Sequence, residues 1–492
     1  MTGIQARFTK TARAVRVLQY GEGNFLRGFA DEMIDRANEI GLFCGNIVIV
    51  KPIPAGSLNV FREQDCLYTV SLRGRKNGEP SVENRVVTSV ADTVDAYGEY
   101  SRYAGYAALD TLRVILSNTT EAGIVYSETD SLSMCPPASF PGKLTKFLYE
   151  RAEHFRYAPD KGLIVLPVEL IEDNGSCLKN IVVRLAGRWG LGGNFLRWLD
   201  ESCVFASTLV DRIVSGFPGD EAERLWSEWG YEDRLIVAGE LYAQWIIESP
   251  RDIFADFPLA CAGLPVVWTR DLKPYQRRKV RILNGAHTAA SLAGYLCGHN
   301  TVLEMINDAV LKQFIRKTLW DEVIPTLSEP RADLEVFTGE VLERFSNPFM
   351  SHSLLSISLN SVSKWRARCM PSLLEYRQAA GRVPACLAFS LAALLAFYSC
   401  DGMADGALVG NRFGEPYRVA DGEAALAFFR KNHRLPAGVF VRECLGNRAF
   451  WGQDLTEQPG LAEAVASALD DIRSIGMKAA LRKCLEGGGV NE

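Results

Sequence analysis

The chain has 492 residues, 48% of them hydrophobic, and a formal net charge of −5 at pH 7. This length exceeds what a single hydrophobic core usually serves, so we expect two domains. The composition is that of a folded globular protein, and the interspersed charges argue against a nucleic-acid-binding or membrane-surface protein. Twelve cysteines without a CxxC pair favour reduced thiols in a cytoplasmic protein.

The first half of the chain alternates strand-like and helix-like segments. Continuous apolar or β-branched runs predict five strands, at 15–19, 47–50, 85–90, 113–116 and 163–166. A helix is predicted over 25–39, where Phe25, Phe29 and Met33 recur at helical spacing. Because such runs suit strands that are covered on both faces, we expect an α/β domain of Rossmann type with a mostly parallel sheet.

After residue 270 the pattern changes to helical periodicity interrupted by prolines. We therefore expect a nucleotide-binding domain at 1–270 and an all-α domain at 271–492 that carries substrate-binding and catalytic residues. The longest apolar run, 384–400, begins at a proline and is short for a bilayer span. It predicts a buried core helix, and no membrane association is expected.

Two glycines, Gly21 and Gly23, lie between the first predicted strand and the first predicted helix. They resemble the first half of the dinucleotide fingerprint, in which a tight turn places a pyrophosphate at the helix N-terminus. Leu26 stands in place of the third glycine, and Gly28 follows two residues later. An ordinary tight turn is the alternative. We predict cofactor contacts from Gly21, Gly23, Asn24, Phe25, Leu26 and Arg27.

Lys51 ends the second strand, where an acidic residue would bind the ribose of NAD. A cation at this place suits the 2′-phosphate of NADP, and a solvated strand end is the alternative. The sequence therefore leaves the choice between NAD and NADP open.

Polar loops follow the fourth and fifth predicted strands, where parallel sheets bind ligands. In the first of these loops, Thr120 and Glu121 are predicted cofactor contacts. In the second, Glu169 and Asn174 are predicted to bind a polyhydroxylated substrate. Ordinary turns are the alternative for both loops.

The segment at 279–287 places an amine, a carboxamide and an imidazole in a predicted helix. In an α-helix Asn284 lies roughly 140° round and about 7.5 Å along from Lys279, with His287 between them in angle. Ketone reduction needs a proton donor, an amide N–H for the developing alkoxide and a group that fixes the oxygen. The alternative is a solvated face of a basic helix.

A second polar segment, at 359–368, offers an amide, two hydroxyls and three cations. Asn360, Lys364 and Arg368 are predicted substrate contacts, because Lys and Arg pair strongly with carboxylates. An exposed basic helix face is the alternative. The five histidines lack HxH or HExxH spacing, so no metal site is predicted, although His287 and His299 could meet in space.

With the glycine turn, the 279–287 set and the 359–368 segment, the chain resembles the mannitol dehydrogenase family. These enzymes are long-chain, metal-independent polyol and sugar-acid dehydrogenases, and the resemblance runs from about residue 15 to beyond 371. Three segments, at 18–27, 166–175 and 359–364, are similar to those of the tagaturonate reductase (altronate oxidoreductase) branch.

The resemblance implies a Rossmann-type N-terminal domain, a helical C-terminal domain and NAD as cofactor. It also implies interconversion of D-tagaturonate and D-altronate by a monomer or homodimer whose partner is the small sugar-acid substrate. By position, Lys279 is the general acid/base, Asn284 the oxyanion donor and His287 the residue that orients the substrate oxygen. Asp211 and Lys364 match substrate-pocket positions of the mannitol enzymes.

Two departures from the family pattern concern the substrate. Leu170 stands where mannitol dehydrogenases have a second oxyanion-binding asparagine, a role that Asn174 could take over. Ser356 replaces their substrate-binding arginine, which leaves Arg366 or Arg368 as the expected anchor of a carboxylate. The alternatives are a fructuronate reductase, a mannitol or other polyol 2-dehydrogenase, an isomerase with tightly held NAD, and a non-catalytic nucleotide-binding relative.

Overall fold

The computed structural model describes residues 1–119 and 123–487. The chain divides into two compact units. The first comprises Met1–Gly74 and Ser81–Leu272, and the second comprises Arg75–Pro80 and the chain from Lys273 onward.

A six-stranded parallel sheet organises the first unit. Its strand order is β5-β2-β1-β6-β7-β8, which is the 3-2-1-4-5-6 order of a Rossmann sheet. Together with the helical second unit described below, this sheet confirms the predicted fold class. The strands are β1 (Val15–Tyr20), β2 (Asn46–Lys51), β5 (Val90–Asp95), β6 (Val114–Ser117), β7 (Ile164–Pro167) and β8 (Val204–Phe205).

Two smaller sheets complete the strands of this part of the chain, in the orders β10-β11-β3-β4 and β13-β12-β9. Their strands are β3 (Tyr68–Lys76), β4 (Glu79–Val87), β9 (Ser207–Asp211), β10 (Val214–Gly216), β11 (Val237–Glu240), β12 (Gln244–Glu248) and β13 (Val266–Thr269). The α-helices are α1 (Asn24–Leu26), α2 (Glu32–Glu39), α3 (Asn59–Glu63), α4 (Tyr100–Gly105), α5 (Phe140–His154), α6 (Asn174–Arg188), α7 (Gly192–Ser202) and α8 (Ala222–Trp229).

The parallel sheet is apolar on both faces, as its continuous hydrophobic strands predict. In β1, Val17 belongs to one buried cluster and Leu18 to another, because neighbouring side chains point to opposite faces. The first cluster includes Phe29 and Met33 of the first helix. The second includes Phe147 of α5. Both faces of the sheet are therefore covered.

The predicted strand at 85–90 is wrong, because this segment belongs to two strands. β4 ends at Val87 and β5 begins at Val90. Between them, the Thr88 backbone N–H and the Ser89 hydroxyl both donate to Asp35 Oδ1, at 2.9 and 2.7 Å. This buried carboxylate turns the chain from one sheet to the other.

The second unit is mainly helical. Its α-helices are α9 (Lys273–Arg278), α10 (Gly285–Leu296), α11 (Val302–Asn307), α12 (Ala309–Lys317), α13 (Arg331–Phe345), α14 (Leu354–Ile357), α15 (Ser361–Arg368), α16 (Met370–Ala380), α17 (Ala385–Phe397), α18 (Glu423–Asn432), α19 (Ala437–Leu445), α20 (Arg448–Trp451), α21 (Leu461–Ile475) and α22 (Met477–Gly487). Three π-helical segments occur in the described residues, at Arg27–Asp31, Lys279–Asn284 and Thr318–Val323. Short 3₁₀ helices lie at Ile4–Ala6, Tyr106–Ala108, Pro159–Lys161, Gly219–Glu221, Leu259–Ala262, Ile324–Thr326 and Leu455–Glu457.

The apolar run at 384–400 forms α17, and the prediction of a core helix is confirmed. All of its residues except Ala385 and Ala396 are buried. Within the described residues, no helix is both long and apolar enough to cross a membrane.

The second unit also contains a three-stranded antiparallel sheet that an all-α prediction does not include. Its strands are β14 (Gly402–Ala404), β15 (Ala407–Arg412) and β16 (Glu415–Val419). The two connecting loops, Asp405-Gly406 and Phe413-Gly414, have positive φ at both positions. This is the type I′ geometry that matches the twist of paired strands.

Candidate active site

The glycine turn of the first unit has the geometry of a phosphate-binding loop. Gly21 has a φ of +124°, and a methyl group on it would lie 3.1 Å from the carbonyl oxygen of Asn118. Gly23 is exposed, and no atom lies within 4 Å of where its methyl group would be. The helix begins at Asn24, so the first backbone N–H groups face this open space. The turn can therefore accept a pyrophosphate close to its backbone.

Gly28 allows the helix to pack closely against the neighbouring strands, which is the role of the third glycine in the dinucleotide fingerprint. A methyl group here would lie 2.9 Å from Val237 Cγ1 and 3.1 Å from Val214 Cγ1. Leu26, at the usual third position, is buried in the core instead. The fingerprint is displaced by two residues along a helix that contains a π-helical segment at Arg27–Asp31.

The side chains of Arg27 and Leu26 are both buried and make their contacts within the protein. The Arg27 guanidinium is buried and donates to Leu235 O at 2.6 Å, Asn24 Oδ1 at 2.6 Å and Glu22 O at 3.2 Å. It also lies 5.2 Å from the centroid of the Tyr68 ring. Arg27 therefore stabilises the glycine turn through hydrogen bonds within the protein. Asn24 is exposed at the start of the helix.

Phe25 is half-buried and stacks on Phe29 at a ring-centroid distance of 5.0 Å. Its contribution to a bound cofactor is thus confined to its backbone N–H and to the exposed part of its ring.

Lys51 is neither a solvated strand end nor a cation available to a phosphate. It is 2% exposed, and its Nζ donates to Ile53 O at 2.8 Å and Pro54 O at 3.1 Å. Asp95 Oδ2 lies 3.0 Å from the same nitrogen. The ammonium group is thus already solvated by protein oxygens, and its charge is neutralised.

Glu169 is a buried acceptor that organises the loop after β6. Its carboxylate accepts hydrogen bonds from Ser117 Oγ at 3.1 Å, Thr119 N at 3.0 Å and Thr119 Oγ1 at 2.9 Å. Burial raises the pKa of Glu169. Both carboxylate oxygens thus accept hydrogen bonds within the protein, and the contact of Glu169 with substrate remains a prediction. Thr120 and Glu121 lie outside the described residues.

Asn174 is also a structural residue. Its Nδ2 donates to Pro167 O, Glu169 O and Thr208 O at 3.1, 2.9 and 3.2 Å, and its Oδ1 accepts from Thr208 N at 2.9 Å. The side chain is fully buried, and its hydrogen-bonding capacity is used in joining β7 to β9. The structure thus gives Asn174 a structural role, while its substrate contact and its role as a substitute oxyanion donor remain predictions.

Two other positions of the first unit were singled out by the family resemblance. Asp211 is buried at the end of β9, opposite Gln244 of β12. Leu170 is 66% exposed. The asparagine that mannitol dehydrogenases have at the position of Leu170 is thus replaced by an exposed apolar side chain.

In the second unit, the predicted catalytic segment is not a regular α-helix. Lys279–Asn284 is a π-helical turn between α9 and α10. A π turn closes with an i→i+5 hydrogen bond and commonly occurs at functional sites. Lys279 and Asn284, five positions apart, are therefore brought to nearly the same side of the helix, where regular α-helical geometry separates them by roughly 140°.

The side chains of Asn284 and His287 have few protein partners. Both residues are half-buried, and the Asn284 carboxamide makes no hydrogen bond with any described residue. His287 stacks on Phe345 with ring centroids 4.2 Å apart and meets His352 edge-on at 5.2 Å. The polar groups of Asn284 and His287 are thus available to a ligand.

The imidazole of His287 is held in its neutral form. Burial lowers its pKa well below the usual 6.5, and the nearby His352, Arg344 and Arg368 lower it further. Burial also lowers the pKa of His352, with a smaller contribution from Lys364. A neutral imidazole can both donate and accept, which suits a group that positions a hydroxyl or carbonyl oxygen.

His287 and His299 do not meet. His299 Nε2 lies 3.2 Å from Asp308 Oδ2, and His352 takes the place beside His287. The part of the chain that the structure describes brings together no group of three or more His, Cys, Asp or Glu side chains suited to a metal ion.

Arg368 and Lys364 add positive charge to the surroundings of His287. Arg368 is half-buried, and its Nη1 donates to Thr288 Oγ1 at 3.2 Å. Burial lowers the pKa of Arg368, and no carboxylate in residues 1–119 and 123–487 forms an ion pair with it. Lys364 Nζ donates to Ile357 O at 3.0 Å, and burial, followed by Arg368, lowers its pKa. These cations are in position to receive an anion.

The other residues of the 359–368 segment lie elsewhere. Asn360 is exposed and precedes α15 with a left-handed φ of 56°. Arg366 is exposed, and its guanidinium lies against Gly452. Ser356 is exposed as well. Of the two arginines considered for a carboxylate, only Arg368 lies beside His287.

Three neighbours of His287 were not predicted from the sequence, namely Arg344, Phe345 and His352. They come from the end of α13 and the segment before α14, more than 50 positions from His287. No motif spacing relates them to residues 279–287. Only the scarcity of histidines in the chain could have drawn attention to His352.

Models of known protein families match nearly the whole of this chain. Residues 15–256 match the mannitol dehydrogenase Rossmann domain and residues 271–473 match the mannitol dehydrogenase C-terminal domain. The chain belongs to the mannitol dehydrogenase family. The family prediction is thus confirmed, and the protein is an oxidoreductase of the polyol and sugar-acid dehydrogenase class.

Relatives with established names cover nearly the whole chain. It is 41% identical over 473 residues to altronate oxidoreductase of Yersinia enterocolitica, covering 95% of this chain and 96% of that protein. Altronate oxidoreductase of Bacillus subtilis is 40% identical over 479 residues, with 96% of each chain covered. These matches bear out the resemblance to the altronate oxidoreductase branch.

Two solved structures share the fold. D-Sorbitol dehydrogenase in substrate-free form superposes with a TM-score of 0.78 at 23% identity, covering 98% of this chain and all of that chain. The ternary complex of Pseudomonas fluorescens mannitol 2-dehydrogenase with NAD and D-mannitol has a TM-score of 0.65 at 20% identity, covering 97% and 96%.

Proposed function

We propose that this protein is an NAD-dependent tagaturonate reductase that interconverts D-tagaturonate and D-altronate. The proposal rests first on identity of about 41% to altronate oxidoreductases along 95% of the chain. The structural observation that carries it concerns Arg368, whose half-buried guanidinium lies near the neutral imidazole of His287 and forms no ion pair with a carboxylate of the described residues. A sugar acid has both groups that such a site would bind, a carboxylate and a carbonyl.

For the cofactor, we assign binding to the glycine turn of the first unit. Gly21, Gly23 and the N–H groups of Asn24 and Phe25 would hold the pyrophosphate, and the open space at Gly23 fits it. When bound, NADH supplies the hydride for ketone reduction, and NAD⁺ accepts it in the reverse direction. The neutralised Lys51 supports NAD over NADP, because its ammonium group has no capacity left for a 2′-phosphate.

For the chemistry, we assign proton transfer to Lys279 and oxyanion stabilisation to Asn284. As the ketone is reduced, negative charge grows on its oxygen and the Asn284 amide N–H donates to it. Lys279 then gives that oxygen a proton, and it takes the proton back when the alcohol is oxidised. The neutral His287 fixes the direction of the oxygen by a hydrogen bond.

For the carboxylate, we assign Arg368 as the anchor, with Lys364 as a second cation. A half-buried guanidinium without a carboxylate partner is poorly compensated, and a charge-assisted bond to substrate would correct this. Asp211 and Asn360 remain proposed contacts for the substrate hydroxyls.

The test is a substrate panel followed by the absorbance of reduced nicotinamide. Purified protein is given NADH or NADPH with tagaturonate, fructuronate or fructose at equal concentrations. We expect the highest kcat/KM with tagaturonate and NADH. Preference for fructuronate or fructose would assign the protein to another branch, and NADH binding without turnover on any ketone would identify a non-catalytic relative. Cofactor that co-purifies and never dissociates would instead favour an isomerase.

A further inference from the structure

The thiols of Cys386 and Cys484, both in the second unit, lie close enough together that each alters the pKa of the other. Cys386 is the second residue of α17 and is fully buried. Cys484 is half-buried on α22. It follows Met477, Ala480 and Leu481, which are buried at helical spacing, so all four residues lie on the face with which α22 packs.

The surroundings fix both sulfur atoms at the start of α17. Cys484 Sγ lies 3.8 Å from the carbonyl oxygen of Ala385, the residue before Cys386. The carboxylate of Glu322 accepts the backbone N–H groups of Cys386 and Leu387, both at 2.8 Å. The backbone near Cys386 is thus held in place while the neighbouring helix presents a second thiol.

The two thiols differ in acidity. The neighbouring Cys484 thiol raises the pKa of Cys386, and burial raises it further. The neighbouring Cys386 thiol lowers the pKa of Cys484, and the ammonium of Lys317 also lowers it, against the opposing effects of burial and Glu322. Lys317 Nζ is close by, donating to Leu485 O at 3.2 Å. Cys484 is therefore the nucleophile of the pair, and it is also the more accessible thiol.

We propose that Cys386 and Cys484 form a reversible disulfide when hydrogen peroxide oxidises the protein. The Cys484 thiolate attacks one peroxide oxygen and the O–O bond breaks, which gives a sulfenic acid and, after protonation, water. The sulfur of Cys386 then attacks the Cys484 sulfur, the S–O bond breaks, and the leaving hydroxide takes the Cys386 proton as a second water. Two thiols lose two electrons in all, and the peroxide gains them.

Cys44 and Cys444 show how other cysteines of the described residues differ from this pair. Cys44 is exposed, and its thiol donates to the carbonyl oxygen of Gly41 rather than to a second sulfur. Cys444 is fully buried in α19, where burial raises its pKa. The disulfide is independent of the proposed substrate and cofactor, since neither thiol belongs to the residues assigned to turnover.

The experiment is oxidation with one equivalent of hydrogen peroxide, followed by blocking of the remaining thiols and non-reducing chymotryptic digestion. Cleavage after Phe389 and Phe397 separates Cys386 from Cys400, so mass spectrometry can assign the pairing. We expect a cross-linked peptide that joins Cys386 to Cys484 and that dithiothreitol removes.

Two variants sharpen the result. Cys484→Ser should lose the cross-link and retain the turnover of the reduced protein, whereas Cys444→Ser should retain the cross-link. Oxidation should also raise the unfolding temperature reversibly in the wild type and not in Cys484→Ser, because the bond closes a long loop. Recovery of Cys386 as a free, blocked thiol after Cys484 has been oxidised would overturn the proposal, as would a disulfide between two molecules.

Discussion

Asn174 and Asn284 offer a matched test, because the same truncation to alanine should have opposite consequences at the two positions. Asn174 is fully buried and bonded to four backbone groups. Asn284 is half-buried, and its carboxamide bonds to no residue that the structure describes. We expect Asn174→Ala to reduce stability and Asn284→Ala to reduce turnover.

The magnitudes follow from the contacts. Asn174→Ala leaves the buried Thr208 N–H without an acceptor, which costs about 1–3 kcal/mol, and also removes donors from three carbonyls. We expect a total loss of about 2–4 kcal/mol and a fall in unfolding temperature of about 5–10 °C. Asn284→Ala should leave stability within about 0.5 kcal/mol and lower kcat about 100- to 1,000-fold, as loss of one oxyanion donor does.

Both variants are measured by thermal unfolding and by steady-state kinetics with tagaturonate and NADH, at a temperature where each remains folded. A folded Asn174→Ala enzyme with unchanged unfolding temperature and a kcat 100-fold lower would refute the structural role argued for Asn174. A loss of only about twofold in Asn284→Ala, far below the effect of a single donor, would show that another group holds the oxygen.

The remaining predictions concern Lys279, Arg368 and His287. Lys279→Ala should abolish turnover, while NADH should still bind in a fluorescence titration. Replacement of the exposed Arg277 by alanine is the control and should leave turnover unchanged. Near-normal turnover of Lys279→Ala would remove Lys279 from the mechanism. Arg368→Leu should raise KM for tagaturonate by about 10- to 100-fold, because loss of a charged hydrogen bond costs about 1.5–3 kcal/mol. KM for fructose, which has no carboxylate, should change little. Equal effects on both substrates would refute a contact between Arg368 and the carboxylate. The His287 ring should not titrate between about pH 8 and 6.5 in NMR spectra. The pKa of His287 is lower in the folded protein than in the unfolded chain. The stability that His287 contributes is therefore present above about pH 6.5 and is lost at lower pH, where the unfolded chain takes up a proton. A titration midpoint at the usual pKa of a histidine would contradict the lowered pKa.

The parallel sheet and its glycine turn could be predicted because their signals are local. Strands covered on both faces are continuously apolar, and Gly21 is required by its own positive φ. The role of Gly28 was harder to predict, since it depends on the distance to Val237, which is more than 200 positions away. A glycine shifted by two residues still allows the close packing, because only the helix backbone must pass close to its neighbour.

Polar residues in the loops that follow the strands are the hardest to assign from the sequence. Glu169 and Asn174 are the residue types that bind sugar hydroxyls, and they follow a parallel strand as ligand-binding residues do. The sequence does not reveal whether their hydrogen bonds go to a ligand or to buried backbone groups. In this fold they go to Ser117, Thr119 and Thr208.

Two features of the second unit show different limits of prediction. The hairpin between β14 and β15 has an Asp405-Gly406 loop, and Asp-Gly is a strong sequence signal for a hairpin turn. Because the surrounding segments have helical periodicity, only helices are predicted here. The π turn at Lys279–Asn284 has no comparable signature, because no residue type marks where an extra residue enters a helix. The sequence therefore predicts a regular α-helix through Lys279–Asn284, where the structure has a π-helical turn.

The positive charge near His287 bears on whether the site binds a neutral polyol or a sugar acid. Burial is the main reason that the imidazole of His287 is neutral, and His352, Arg344 and Arg368 add to it. No carboxylate among the described residues forms an ion pair with Arg368. A neutral polyol would occupy such a site without compensating the guanidinium, whereas a sugar acid would bring the missing charge. Once the carboxylate is bound, it offsets the cations that lower the pKa of His287, so burial alone must keep the ring neutral during turnover. Because burial is the largest cause of that shift, the imidazole should stay neutral with substrate present, and it can act as a positioning group throughout turnover.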